Sequence, residues 1–174
     1  MGELPIKWRA AIGSGYTGPT VADGRVFVMD RVTQPSQREQ VHCFDAQTGE
    51  SLWSYSYECP YERVEYKAGP RASVTICDGR AYSLGTMGHL HCLDAKSGKV
   101  IWGRDCRQEY QARVPVWGIA AAPLIEGDLV VELKAVETVH AVHCAQLLTY
   151  LRAGGFRRGL LINFNVMKLV NGVR

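Results

Sequence analysis

Histidine and cysteine stand side by side three times in this chain of 174 residues, as His42-Cys43, His91-Cys92 and His143-Cys144. Both side chains ligate transition metals, so a repeated metal site is the first chemistry to weigh. Two of the pairs lie in "VHCFDAQTGESLW" (41–53) and "LHCLDAKSGKVIW" (90–102), segments of strand character. Successive side chains on a strand face opposite sides, so neither pair can chelate one ion. Equivalent cysteines on adjacent sheets sit about 10 Å apart, beyond the ~7 Å Cα separation that a disulfide tolerates. Cys43 and Cys92 are therefore expected to be small buried hydrophobes with free thiols. No C-x-x-C pair involves Cys59, Cys77, Cys106 or Cys144. His140 and His143 share a helical face, but two ligands without a third favour a structural role.

The repetition extends beyond the two pairs. Asp45, Gly49 and Trp53 recur as Asp94, Gly98 and Trp102, each shifted by 49 residues. "VADGRVFVM" (21–29) recurs as "ICDGRAYSL" (76–84), shifted by 55, so the first unit carries six extra residues. Those lie in "DRVTQPSQREQ" (30–40), polar and containing Pro35, which reads as a loop. A third unit starts at "AAPLIEGDLVV" (121–131), with Gly127 following Gly79 by 48 residues. A period of this size marks a solenoid or propeller whose units are four-stranded sheets. "GRVFVM" and "VHCFDA" have strand composition, and "DAQTGE" is a hairpin turn in which Asp45 bonds amides and Gly49 takes a positive φ. Trp53 and Trp102 then close each unit and are expected buried between neighbouring sheets.

The repeated "DA-x-TG-x-x-x-W" segment resembles the PQQ-like (quinoprotein-type) β-propeller repeat over residues 8–131. The resemblance implies a mainly β fold and a binding or scaffold module. The chain holds two blades and the start of a third, whereas a closed propeller needs about 4–8. An exposed blade edge is expected, with a protein partner or self-association covering it. Pyrroloquinoline quinone is not expected, because the adjacent Cys–Cys pair that accompanies it in many quinone dehydrogenases is missing.

After Val131 the third unit ends without its turn and tryptophan. "VETVHAVHCAQLLTYLR" spaces Val139, Val142, Ala145/Gln146, Leu148/Thr149 and Leu151 as a helix, capped by Gly154-Gly155. "GLLINFNV" (159–166) reads as a buried strand. Residues 132–174 are similar to the C-terminal half of the GxxExxY family, which resembles PD-(D/E)XK nucleases, and a boundary is expected at 131/132. The resemblance rests on "ELK", "QLLTY" and "GLLINFN", and it implies site residues Glu132, Lys134, Gln146 and Tyr150. Glu132 and Lys134, two apart on a strand, face one side, where the carboxylate can hold Mg²⁺ while the ammonium orients water. Gln146 and Tyr150 share a helix face that can lie over them. The family pattern also needs an upstream Asp, and Asp128 is too close to replace it. One carboxylate holds Mg²⁺ weakly, so an intact nuclease is the alternative rather than the first reading.

Residues 1–137 carry 15 Lys/Arg against 17 Asp/Glu, and residues 138–174 carry five basic groups and no acid. Such a tail suits either a polyanion partner or a solvated surface, with Arg152, Arg157 and Arg158 as the phosphate contacts of weak nucleic-acid binding. Composition is globular, with 47% hydrophobic and 21% charged residues. No apolar run can span a bilayer, and the start lacks a signal core, so the cytoplasm is the default expectation.

Overall fold

The computed structural model describes residues 5–110, 112–122, 124–126, 129–134 and 137–163, with the backbone alone for Tyr110, Leu124, Glu126, Leu133, Lys134, Val142, Gln146 and Ala153. Strands β1 (Thr20–Ala22), β2 (Arg25–Val32), β3 (Arg38–Asp45) and β4 (Ser51–Glu58) form one antiparallel four-stranded sheet in chain order. Strands β5 (Thr75–Cys77), β6 (Arg80–Leu84), β7 (His89–Asp94) and β8 (Val100–Asp105) form a second of the same design. The repeat is register-true. Cys43 pairs with Trp53 and Cys92 with Trp102, and a β-bulge follows each cysteine.

Local chemistry explains the turns. Asp23-Gly24 and Asp78-Gly79 all have positive φ, the requirement of a tight two-residue hairpin, and Asp-Gly meets it at least cost. In the β3–β4 turn Asp45 Oδ1 accepts from the Gln47 and Thr48 amides, both at 2.8 Å. Asp94 repeats this with the Ser97 amide at 2.7 Å and the Ser97 hydroxyl at 2.6 Å. These bonds favour the charged carboxylates and lower both pKa values.

The polar insertion corrects the loop expected at 30–40. It lengthens β2 and β3, and residues 33–37 alone turn. Its polar groups stay in the sheet because they find partners there. Asp30 lies 3.0 Å from His42 Nε2, and Arg31 donates to Gln37 Oε1 at 2.5 Å.

Trp53 docks on the following unit. The Trp53 ring lies on Gly98, where a Cβ would meet it at 2.6 Å, and its indole N–H donates to Ala95 O at 3.2 Å. Trp8 does the same to the first sheet, lying over Gly49 and donating to Ala46 O at 3.1 Å. Between the sheets Phe27, Met29, Val41 and Cys43 pack against Val74, Ala81, Leu93 and Ala95. Trp53 and Trp102 are half-buried rather than fully buried; the Trp53 indole, lying over a turn, keeps one edge in water, and the Trp102 ring packs beside Tyr82.

Helix α1 (Cys106–Tyr110) leads out of β8. Strands β9 (Leu124–Glu126) and β10 (Leu129–Lys134) then form the antiparallel pair read as the third unit. Helix α2 (Ala141–Gly154) returns the chain to β11 (Arg158–Asn163), which lies parallel to β10, giving the order β11-β10-β9. A parallel partner requires such a crossover. Strand β10 runs across the expected 131/132 boundary. The architecture is mainly β: an incomplete propeller of two blades and a third sheet, with the strand–helix–strand segment built into that sheet. Among the described residues the sheets close no ring, and no helix is long and apolar enough to cross a membrane.

The buried stripe of α2 differs from the expected one. Leu147 and Tyr150 face the core while Leu148 is 48% exposed. Apolar residues surround this helix, and packing against β10 and β11 selects the stripe. Gly155 caps it in the left-handed region, at φ 69°. Residues 164–166 of the expected last strand lie outside the described residues.

Candidate functional site

Three groups of side chains can be weighed as sites, and the first is the one expected from the tail. Val130 packs with Leu147, Tyr150 and Leu161. Residues two apart on a strand share a face, so Glu132 lies on the same α2-facing side, opposite Leu161 in the register. Glu132 is 0% exposed and Tyr150 3%. The structure thus buries Glu132 of β10 and Tyr150 of α2 on elements that pack against each other. The side chains of Lys134 and Gln146, and all of Asp128 and Gly127, lie outside the described residues. Asn163, paired with Lys134 and 2% exposed, adds a buried polar group on the same side.

Arg152 and Arg157 are exposed on α2 and the turn after it, with Arg158 at the start of β11, so the three basic groups cluster in sequence at the helix exit. His140 and His143 are absorbed by the helix start. His143 Nδ1 accepts the His140 amide at 3.0 Å, capping an otherwise unpaired donor. Among the described residues no three His, Cys, Asp or Glu side chains stand close enough to hold a metal ion.

The second group lies between the two propeller sheets and was not visible in the sequence. Glu39, 0% exposed, accepts from Tyr57 at 2.6 Å, from Tyr61 at 2.5 Å and from the Thr86 amide at 3.1 Å. Burial, reinforced by the Glu39 charge, pushes both tyrosine pKa values upward. The Arg31 guanidinium stacks 3.9 Å from the Tyr61 ring centre. This network occupies both carboxylate oxygens and ties the sheets together. Cys59 Sγ lies 3.6 Å from His89 Nδ1, and His89 Nε2 lies 3.8 Å from Asp105 Oδ2, beside an opening that Arg107 and Gln108 also line. The connectivity is that of a thiol–imidazole–carboxylate nucleophile. Cys59 is fully buried, however, and burial first, then the Glu39 charge, raises its pKa, which disfavours the thiolate that such a nucleophile needs.

The third group is a surface. Loop 59–74 joins the first sheet to the second, and its Glu65 amide donates to Val116 O at 2.7 Å, pairing it with the loop before β9. Arg71 staples it, donating to Glu65 O at 2.9 Å, to Thr86 Oγ1 at 3.1 Å, and to Tyr66 O and Gly69 O. Arg63 and Tyr66 hold positive φ values of 52° and 54°, costly for residues with a Cβ and typical of sites where shape serves binding. Around a cavity of about 560 Å³ this loop presents Tyr66 at 67% exposure, and the loop before β9 presents Val116 at 47% and Trp117 at 59%.

All six cysteines are free. Burial raises the pKa values of Cys43, Cys59, Cys92 and Cys106, the last to about 12. Cys144 is exposed. Titration with a thiol reagent is expected to modify Cys144 at once, while those four react only after denaturation. Fast labelling of Cys43 or Cys92 in the native protein would mean that the sheets do not stack as described.

Two stacked four-stranded meanders with tryptophan docking are the units of a propeller-type repeat, and a strand–helix–strand unit follows them. Residues 5–59 match the family model of the outer membrane protein assembly factor BamB, and residues 109–174 match the PD-(D/E)XK nuclease superfamily. The chain therefore carries a PQQ-like repeat and a PD-(D/E)XK-type segment, and the latter match takes in all three strands of the third sheet. Among solved structures, BamB from Moraxella catarrhalis is 19% identical, covering 56% of this chain and 26% of that one at a TM-score of 0.41. The quinohemoprotein alcohol dehydrogenase from Comamonas testosteroni is 24% identical, covering 68% and 17% at 0.48. One from Pseudomonas putida HK5 is 22% identical, covering 71% and 17% at 0.47. The chain spans about a quarter or less of the length of these structures. No curated protein matches it.

Proposed function

We propose that this chain is a non-catalytic binding module that uses its propeller blades as a scaffold for a protein partner. The observation that carries the reading is the stapled loop face presenting Tyr66, Val116 and Trp117 to solvent. Large aromatics held rigid at low entropy cost are the usual anchors of protein interfaces. Pyrroloquinoline quinone is not expected to take part, since the sequence has no adjacent Cys–Cys pair.

The second reading is a metal-dependent nuclease using Glu132, Lys134, Gln146 and Tyr150 with Mg²⁺. The burial of Glu132 on β10 and Tyr150 on the packed helix α2 favours it, and the full burial of Glu132 speaks against it. Arg152, Arg157 and Arg158 then serve as phosphate contacts under either reading, giving weak binding that salt abolishes. Incubating the protein and its Glu132→Ala variant with Mg²⁺ and single- or double-stranded DNA tests the choice. No cleavage by either protein is expected. Cleavage by the parent that the variant loses would make the enzyme the primary reading.

A further inference from the structure

The cavity on the exposed loop face has an apolar floor and apolar walls. Val64 is the floor: it is only 3% exposed, packs with Tyr57, Cys59 and Met87, and still lines the opening. Tyr66 and Val116 stand around it on the two paired loops. Both loops are fastened to the β6–β7 turn. Arg71 ties the first there, through its bonds to Glu65 O, Tyr66 O and Thr86 Oγ1. The second is held where the Ile119 amide donates to Thr86 O at 3.0 Å. Gly118, at φ 78°, lies so close to Arg71 that a Cβ would meet its Nε at 3.1 Å. A seat built in advance needs little ordering when it is filled.

The rim of this seat is cationic. Arg63 and Lys67 line it and are exposed, and Arg113 is exposed next to Val114, which packs on the Val64 cluster. Among the described residues none of these three cations forms an ion pair. Loop 59–74 holds two acids, and Glu62 is taken by Arg107 at 3.4 Å, which leaves Glu65 as the carboxylate at the cavity. Three cations against one acid, around an apolar seat, complement an acidic segment that carries a large apolar side chain. Glu65 disfavours a nucleic acid. A phosphate backbone carries charge at every step and must meet that carboxylate. A peptide can set its acids beside the cations and an uncharged residue opposite Glu65.

We propose that the partner of this face is an acidic linear segment of another protein. Its large apolar side chain fills the space between Tyr66 and Val116 over Val64, with Trp117 beside it. Flanking Asp or Glu residues pair with Arg63, Lys67 and Arg113. Such a partner requires that the face binds protein, the reading on which this assignment rests.

Random peptides displayed on phage and selected on the full chain test it. The selected peptides are expected to share a large apolar residue flanked by Asp or Glu. Trp117→Ala or Tyr66→Ala should weaken them at least about tenfold. The substituted side chains are all exposed, so folding, checked by circular dichroism, should survive. Arg63→Glu combined with Lys67→Glu should weaken the same peptides about tenfold, and raised salt should weaken them in the parent. The doubly reversed chain should instead bind versions in which Lys replaces the acids, a rescue that misfolding cannot produce. Peptides that need Trp117 but show no excess of acid, or that ignore the charge reversal, would overturn the acidic partner and leave the protein-binding face standing. Peptides indifferent to both Trp117 and Tyr66, or no selection at all, would overturn both. If no peptide is selected while single-stranded oligothymidylate binds and needs Trp117, the face belongs to nucleic acid.

Discussion

Replacing Trp53 by alanine is expected to destabilise the chain by about 3–4 kcal/mol in urea denaturation, near the lower end for removing a packed indole because one edge already meets water. The loss combines ring contacts on Gly98 and the Phe27 side chain with the indole hydrogen bond to Ala95 O. Two glycine substitutions separate docking from backbone strain. Gly98 and Gly79 have nearly the same φ, 71° and 69°, so alanine at either carries the left-handed penalty of about 1–2 kcal/mol. A Cβ at Gly79 meets nothing within 4 Å, whereas at Gly98 it strikes the Trp53 ring at 2.6 Å. Gly98→Ala should therefore cost clearly more than Gly79→Ala. Equal costs, or a Trp53→Ala loss below about 1 kcal/mol, would show that the indole does not hold the blades together.

The second large effect is a loss of stability in mild acid traced to His91. This ring is 7% exposed, lies 5.1 Å from the Tyr55 ring and 4.4 Å from the Tyr57 ring, and buries Nδ1 without a hydrogen-bond partner. Burial first, then the nearby His89, lowers its pKa from 6.5 to about 4. Between those values the unfolded chain binds a proton that the folded chain refuses, so stability falls as pH drops from about 6.5 toward 4 and levels off below. At about 1.4 kcal/mol per unit the full span approaches ~3 kcal/mol. Carboxylates add slope of their own, so the measurement is a comparison. Denaturation of the parent at about pH 7.5 and 4.5 should differ by some 2–3 kcal/mol more than that of His91→Phe, which keeps the ring and removes the titration. Parallel pH profiles for the two proteins would assign the acid sensitivity elsewhere.

His42 shows why such behaviour is illegible in sequence. It occupies the same place in the same dipeptide, yet it faces Asp30 at 3.0 Å, while His91 faces tyrosines of the preceding sheet. The partner comes from twelve residues upstream in one case and from another blade in the other. The alternation that turns His one way and Cys the other was legible, since it needs only a strand. Cys43 faces the second blade, and Cys92 meets Ile125 of the third sheet.

The sequence by itself determined whatever is decided within a few residues. The turns follow from Asp45 and Asp94 bonding amides two and three positions on, and from the left-handed Gly49 and Gly98. The blade repeat and the helix after "ELK" follow from periodicity of 2 and 3.6. The tertiary structure alone decided which side of α2 is buried, that Glu39 joins Tyr57, Tyr61 and Thr86 in one network, and that β11 completes the sheet begun by β9 and β10. Those outcomes depend on contacts between residues 18 to 47 positions apart in the Glu39 network. No local preference selects such partners; they meet because stacking the sheets removes their apolar faces from water, and the polar groups carried along must then find one another.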